Sequence, residues 1–232
     1  MVDGLRASFS DRRIAVVASL GLLTVFTLAM LGARMAYTGT GGHGWLGWNL
    51  FLAWIPFAVS LVLYARARAG ASLRMLAPLA ALWLVFFPNA PYLVTDLKHV
   101  GTGGSVPLLY DVLLLSAGAW TGLLLGLTSL YLVHAVARRL FGALSAWALV
   151  VGALALSSFG IYLGRVQRWN SWDVVVHPAA LASQLGGGLL HPVDYPRPIA
   201  LTVLLTAFLL VSYLVLYSFA RLIPEWPDAR ER

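Results

Sequence analysis

Six long runs of mostly apolar residues recur along this chain, and no other feature of the sequence constrains its fold as strongly. They cover residues 14–36, 47–65, 75–97, 107–135, 141–164 and 199–221. An α-helix needs about 20 apolar residues to cross a bilayer, so each run predicts one span. Hydrophobic residues make up 60% of the chain and charged residues only 11%, whereas a soluble domain carries about 25% charge. The sequence therefore predicts an all-α, polytopic transmembrane helix bundle, with residues 1–232 as a single integral membrane domain.

The basic residues predict the orientation of this bundle. With the N-terminus in the cytoplasm, the inner segments hold eleven Lys and Arg residues and the outer segments hold five. Cytoplasmic loops normally carry the excess of positive charge, so we expect an N-in, C-in topology. The net charge of +7 comes from short basic groups beside apolar runs. This pattern favours contact with membrane lipids and argues against a nucleic-acid partner.

The one long connection covers residues 165–198 and contains four prolines and three consecutive glycines. Its middle, residues 178–190, is apolar but too short to cross a bilayer. We therefore expect a short interfacial or re-entrant helix before the last span. The chain has no cysteine, which excludes disulfides and cysteine-bound metal.

The third run contains two prolines separated by an asparagine and an alanine, Pro88-Asn89-Ala90-Pro91. Proline lacks the backbone donor of a helix and clashes with the preceding turn, so we expect this helix to be broken. Asn89 is a candidate cap for the restarted piece. A helix broken within a membrane must line a cavity or find protein partners for its free backbone groups, a geometry that transporters use to bind ions and carboxylates.

The fourth run carries glycines at every fourth position, Gly118, Gly122 and Gly126. This spacing lets another helix approach closely. Asp111 lies seven residues before Gly118, which is two helical turns, so it falls on nearly the same face. We therefore expect its carboxylate to point into the bundle.

The fifth run ends in a polar segment. If its helix continues, Arg165 and Arg168 lie one turn apart, and Asn170, Asp173 and His177 share a face. Arginine binds carboxylate or phosphate through a planar fork. The alternative is that both arginines form structural ion pairs with Asp96, Asp111 and Asp173, pairs that stabilise a fold little more than apolar packing does.

Most polar residues of the runs lie at the predicted outer ends, which predicts a charge-paired polar pocket at that face. The candidate ligand-binding residues are Asn49, Asn89, Tyr92, Asp96, His99, Tyr110, Asp111, Arg165, Arg168, Asn170 and Asp173. The candidate catalytic acids are Asp96, Asp111 and Asp173. A weak metal signal comes from the spacing of Asp96 with His99 and of Asp173 with His177. No specific metal or cofactor is predicted, because the chain has no HExxH or comparable motif.

Several of these segments resemble a known family. They are residues 83–92 (WLVFFPNAPY), 95–97 (TDL), 110–111 (YD), 119–122 (AWTG), 160–165 (GIYLGR) and 168–173 (RWNSWD). They are similar to the bacterial multi-pass membrane family catalogued as domain of unknown function 1361. The resemblance covers most of the chain from the second span to the fifth. It implies a protein of the bacterial cytoplasmic (inner) membrane, and it brings no defined activity or catalytic residue.

Three functions fit these residues. The first is binding or transport of a small anionic or zwitterionic ligand, or an ion, at the outer face. The second is a membrane enzyme that acts on a lipid headgroup or a lipid-linked substrate at the outer leaflet, with an aspartate as general acid or base and the arginines on phosphate. The third is a structural or accessory membrane subunit whose polar network only fixes helix packing.

Overall fold

The computed structural model describes residues 2–102, 106–167 and 196–222. Within these ranges the regular structure is helical and contains no strand. The α-helices are α1 (Val2–Thr38), α2 (Trp45–Arg68), α3 (Leu73–Phe86), α4 (Asn89–Tyr92), α5 (Leu108–Tyr162) and α6 (Pro196–Leu222). A 3₁₀ segment, Leu93–His99, follows α4, and a π-helical turn, Leu163–Gln167, follows α5. The predicted helix at 178–190 lies outside the described residues.

Five helical segments of the described chain are long and apolar enough to cross a membrane. They are Ile14–Thr38, Trp45–Arg68, Leu73–His99, Leu108–Arg165 and Ile199–Arg221. The α-helix is the form in which a single segment can satisfy all its backbone hydrogen bonds in hydrocarbon. The predicted all-α class, with several apolar helices long enough to span, is therefore confirmed.

The predicted fourth and fifth spans, 107–135 and 141–164, fall on α5, which consists of two helices joined at a kink. Residues 136–140, between the two predicted runs, are helical. The backbone leaves helical geometry at Gly142, where φ is 84° and ψ is 175°, a conformation that glycine adopts without the steric cost of a side chain. The 58 residues of Leu108–Arg165 would extend about 87 Å as one straight helix, about three times a hydrocarbon core. Gly142 is therefore the point at which a segment of this length can change direction.

The predicted break in the third span is present. Helix α3 ends at Phe86, and the chain restarts as α4 and the 3₁₀ segment. The amide of Ala90 donates to the carbonyl of Phe87, three residues back, so the carbonyl of Phe86 loses its usual helical donor. The side-chain amide of Asn89 donates to that carbonyl at 3.0 Å. The capping prediction for Asn89 is wrong, since Pro88 occupies the cap position; Asn89 instead satisfies the acceptor that the break exposes.

The glycine face of α5 receives this broken segment. A Cβ at Gly122 would collide with the carbonyl oxygen of Ala90 and lie 2.6 Å from the side chain of Leu93. A Cβ at Gly126 would lie 3.3 Å from Pro91. The expectation of close approach at these glycines is confirmed.

The chain divides into two compact units. The first contains residues 1–59 and 81–128, and the second contains residues 60–80 and 129–232. The buried core of the first unit includes Leu46, Leu50, Phe57, Phe87, Leu93, Leu114 and Leu115. That of the second includes Leu63, Leu130, Leu154, Leu209 and Tyr213.

Candidate functional site

A buried ion pair joins the last turns of α1 to the first turn of α5 in the first unit. Arg34 Nε donates to Asp111 Oδ1 at 2.7 Å, and Arg34 Nη2 donates to Asp111 Oδ2 at 3.2 Å. Arg34 is only 3% exposed and Asp111 only 2%. Two parallel hydrogen bonds between a guanidinium fork and a carboxylate give the strong, bidentate form of this interaction. The carboxylate of Asp111 also lies in the first turn of α5, where the helix dipole favours a negative charge.

The inward position of Asp111 is as expected, but its partner is not the one that the sequence analysis named. Arg165 and Arg168 were its partners under the structural alternative, and the carboxylate pairs with Arg34 instead. Arg34 is one of the five basic residues counted on the predicted outer side. The signal for its role was its place inside the predicted first span, since an arginine within a span needs a partner.

The tyrosine beside Asp111 reinforces the contact between α1 and α5. The hydroxyl of Tyr110 donates to the backbone carbonyl of Met30 at 2.7 Å. Met30 lies one helical turn before Arg34 on α1, so two consecutive residues of α5 bind consecutive turns of α1. Farther along the same helices, the hydroxyls of Thr27 and Thr121 lie 3.4 Å apart.

A second buried carboxylate lies in the broken segment. Asp96, in the 3₁₀ segment, is 1% exposed, and its Oδ2 accepts a hydrogen bond from Asn49 Nδ2 at 3.0 Å. Asn49 lies in the second turn of α2. The structure therefore brings Asn49 and Asp96 together, as it brings Arg34 and Asp111 together, within the first unit.

The 39–44 loop brings its backbone and a buried histidine nitrogen to this region. A Cβ at Gly42 would lie 3.5 Å from Arg34 Nη1, so the loop passes directly beside the guanidinium group. Within the described residues, Arg34 Nη1 takes no part in the hydrogen bonds to Asp111. The next residue, His43, is 8% exposed and has a positive φ of 69°. Its Nε2 is buried without a hydrogen-bond partner among the described residues.

In the sequence, His43 looks like an incidental residue of a glycine-rich outer loop. Its ring instead belongs to an aromatic row, with centroids 5.6 Å from the ring of Trp45, which in turn lies 4.9 Å from the ring of His99. This row connects the 39–44 loop to the 3₁₀ segment that carries Asp96. The only sequence signal was the run of glycines around His43, which is compatible with a chain that passes close to other groups.

The remaining predicted site residues fall into three groups. Asn89 serves the broken backbone, as described above, and Tyr92 is half-buried, with its carbonyl accepting from the hydroxyl of Thr95 at 2.6 Å. Arg165 belongs to the second unit, where it is half-buried in the π-helical turn. The residues outside the described ranges are Arg168, Asn170, Asp173 and His177. In the described ranges, no group of three or more His, Asp or Glu side chains has the arrangement of a metal site.

Comparison with known proteins places the chain in a family. The model for a protein of unknown function, DUF1361, matches residues 48–213, which is more than half of the chain. The matched segment contains Asn49, Asp96 and Asp111, and it begins after Arg34 and His43. No curated protein and no solved structure matches the chain. The resemblance inferred from the motifs of the third and fifth spans is thereby confirmed.

Proposed function

We propose that this chain, which belongs to the DUF1361 family, is a six-span protein of the bacterial inner membrane that binds a small anionic or zwitterionic ligand at its outer face. The binding site that we propose, termed here the Arg34 site, consists of Arg34, Asp111 and the 39–44 loop, with Asn49 and Asp96 nearby in the same unit.

The topology is supported by helix length and charge. The 58 residues of Leu108–Arg165 are long enough for two spans, and the departure at Gly142 supplies a place for the turn. With six spans and the N-terminus inside, eleven of the 16 basic residues fall on the inner side, as the positive-inside rule requires. In that orientation the C-terminal end of α1 and the first turn of α5, which hold the ion pair, face outward.

One observation carries the binding proposal. Arg34 uses Nε and Nη2 on Asp111 and keeps Nη1 beside the backbone of Gly42. A guanidinium group can bind a second planar anion through its remaining donors. A ligand carboxylate or phosphate at Nη1 would then lie next to the loop that carries the unpartnered Nε2 of His43. The site offers positive charge at Nη1 and negative charge at Asp111, which is the pattern a zwitterion requires.

The energetics of the ion pair agree with a functional role. Removing two charges from water costs several kcal/mol, and replacing a buried pair by apolar residues is often neutral or stabilising. Ionisable residues inside a membrane protein commonly mark a ligand or ion pathway. A pair that stabilises the fold so little is more readily explained by a binding role, in which Asp111 holds the guanidinium group while Nη1 receives the ligand.

A specific observation also favours the structural alternative. Asp111, Asp96 and Tyr110 all have protein partners in the first unit, and these contacts hold α1, α2 and the broken helix to one another or to α5. Under the structural alternative this network only fixes helix packing, and no small molecule would raise the thermal stability of the protein through Arg34. The two functions are distinguished by a substitution that changes the space at Nη1 without removing any of these contacts.

Gly42→Ala is that substitution. Its methyl group would lie 3.5 Å from Arg34 Nη1 and 3.3 Å from Thr40 Oγ1, and the change removes neither hydrogen bond of the ion pair. Gly41→Ala is the matched control, because a Cβ at Gly41 meets nothing within 4 Å. The measurement is the thermal unfolding temperature of the purified protein in detergent, with sodium phosphate, sodium acetate or glycine added at matched ionic strength.

We expect at least one of these probes to stabilise the wild-type protein and the Gly41→Ala variant equally. A ligand at 100 times its Kd stabilises the folded state by about 2.7 kcal/mol, which is about 5–11 °C for a chain of this size. The Gly42→Ala variant should lose most of that shift. If no probe stabilises the wild type, or if Gly42→Ala responds as Gly41→Ala does, the ligand proposal fails and the structural function is favoured.

A further inference from the structure

A small cavity lies at the basic end of α2 in the second unit. It is lined by Tyr64, Ala67, Arg68, Ala135, Val136, Arg139 and Leu140. Its volume is about 140 Å³, about ten times what a single water molecule needs by the same measure. It therefore has room for a compact polar group of several heavy atoms.

Four of the seven lining residues form two pairs with the same spacing along their helices. Tyr64 and Arg68 lie four residues apart on α2, and Ala135 and Arg139 lie four residues apart on α5, so each pair occupies one helical face. Arg68 and Arg139 are exposed, whereas Tyr64 is half-buried. The two arginines are therefore accessible to a bound anion, and aromatic and apolar side chains make up the rest of the lining.

The arginines of this cavity have no compensating acid among the described residues of their unit. Those residues, 60–80, 129–167 and 196–222, contain no Asp or Glu. No ion pair between described residues involves Arg68 or Arg139. Two guanidinium groups without carboxylate partners in this part of the chain favour an anionic occupant.

We propose that this cavity binds the phosphate group of an anionic phospholipid. Arg68 lies in the last turn of α2, a span end, which is where lipid headgroups lie. Arginine matches phosphate through its planar fork, and basic pockets between transmembrane helices on the cytoplasmic side are suited to anionic headgroups. The apolar walls formed by Val136 and Leu140 would contact the start of the acyl chains. A lipid with net negative charge is favoured over a zwitterionic one because no acid among the described residues of the second unit compensates the two arginines. This inference does not depend on the Arg34 site.

The test measures lipid affinity on the whole purified protein. Delipidated protein in detergent is titrated with phosphatidylglycerol or with phosphatidylcholine, and the bound lipids are counted by native mass spectrometry. We expect the wild type to bind one phosphatidylglycerol at least tenfold more tightly than phosphatidylcholine. The double variant Arg68→Gln, Arg139→Gln should lose at least tenfold in phosphatidylglycerol affinity, because each charge-assisted contact to phosphate is strong.

The matched control is the double variant Arg66→Gln, Arg74→Gln. It removes the same charge from the same predicted side of the membrane, but neither arginine lines the cavity. The control should keep the wild-type affinity. If both double variants lose affinity equally, binding reflects diffuse attraction to a basic surface, and the proposal is overturned. If the glutamine variant does not fold, Arg68→Lys with Arg139→Lys keeps the charge and should still weaken binding by loss of the fork; unchanged affinity in the folded lysine variant overturns the proposal.

A final experiment distinguishes a bound lipid from bound inorganic phosphate. Sodium phosphate is titrated against the wild type at an ionic strength held constant with sodium chloride. Under the lipid proposal, phosphate competes only weakly for bound phosphatidylglycerol. If inorganic phosphate binds in an Arg68-dependent manner and phosphatidylglycerol binds no better than phosphatidylcholine, the cavity takes a soluble anion and the lipid assignment is wrong.

Discussion

Removing one charge of the Arg34–Asp111 pair should destabilise the protein far more than removing both. The single variants are Arg34→Met and Asp111→Leu, each of which replaces a charged side chain by an apolar one of comparable length. Each single variant leaves the other charge buried, in a place where the side chains are only 3% exposed. An uncompensated buried charge costs about 3–5 kcal/mol.

The double variant removes the pair and its desolvation cost together. Replacing a buried ion pair with apolar residues is often neutral or stabilising, so we expect the double variant to lie within about 1 kcal/mol of the wild type. The two single changes, by contrast, sum to about 6–10 kcal/mol. The coupling free energy between the two sites would then be about 5 kcal/mol or more, at the upper end of values known for close charge pairs.

The assay is reversible unfolding in mixed micelles with increasing sodium dodecyl sulfate, followed by tryptophan fluorescence, with the four proteins compared as a double-mutant cycle. Thr121→Val serves as a control, since it removes the hydroxyl contact between Thr27 and Thr121 on the same two helices without touching a charge. Hydrogen bonds between transmembrane helices contribute about 0.6 kcal/mol on average, so this control should change stability little. The reasoning is refuted if each single charge variant also costs less than about 1 kcal/mol, because the pair would then be solvated and not desolvated.

Two further predictions concern packing and a polar contact elsewhere in the chain. Gly122→Ala should cost about 1–3 kcal/mol, because its methyl group has no room against the broken helix. The control Gly152→Ala, also on α5, places a methyl group that meets nothing within 4 Å and should stabilise the protein by about 0.5–1 kcal/mol. The same micelle unfolding assay compares the two variants, and equal effects would contradict the close approach at Gly122. Tyr213→Phe should cost about 1–3 kcal/mol, since His134 Nδ1 lies 2.7 Å from its hydroxyl and would be left buried without that partner. The control is Tyr217→Phe, because the hydroxyl of Tyr217 makes an exposed contact; it should cost less than about 0.5 kcal/mol in that assay. An equally small effect of Tyr213→Phe would show that the buried contact does not stabilise the protein.

The features that followed from local chemistry were predictable from the sequence. The break in the third span follows from Pro88 and Pro91, because proline removes a backbone donor wherever the chain places it. The inward position of Asp111 follows from its seven-residue distance to Gly118, because helical periodicity fixes which residues share a face. Neither inference needed knowledge of the neighbouring helices.

The features that depend on partner choice were not predictable in the same way. In water, an amphipathic stripe shows which face of a helix is buried. In a membrane both faces are apolar, since lipid tails are as apolar as leucine, so the sequence does not show which helix packs against which. For that reason the glycine face of α5 indicated a close neighbour but not that this neighbour is the broken segment around Ala90, and Asp111 indicated a buried partner but not Arg34.

The predicted fourth run ends at residue 135, whereas the kink lies seven residues later, at Gly142. Arg138 and Arg139 follow the run, and charged residues usually leave the hydrocarbon. Long basic side chains at a helix end can extend their charge to the interface while the backbone stays helical. The chain remains helical through both arginines and leaves helical geometry only at Gly142. Glycine has no side chain, so the positive φ at this position causes no steric clash. The backbone preference of glycine, and not the position of the charges, sets the boundary.

The fold and the proposed site share residues in the first unit, which determines how the function can be tested. Asp111 binds the α1 arginine and lies on the helical face that receives the broken segment, so a change such as Asp111→Asn alters packing and ligand binding at once. A loss of response in that variant would fit both the binding and the structural function. Gly42 contributes no hydrogen bond to the network and lies next to the one guanidinium nitrogen that Asp111 does not use. A single methyl group at that position therefore distinguishes a ligand site from a network that only fixes helix packing. Larger substitutions at the charged residues do not distinguish these two functions.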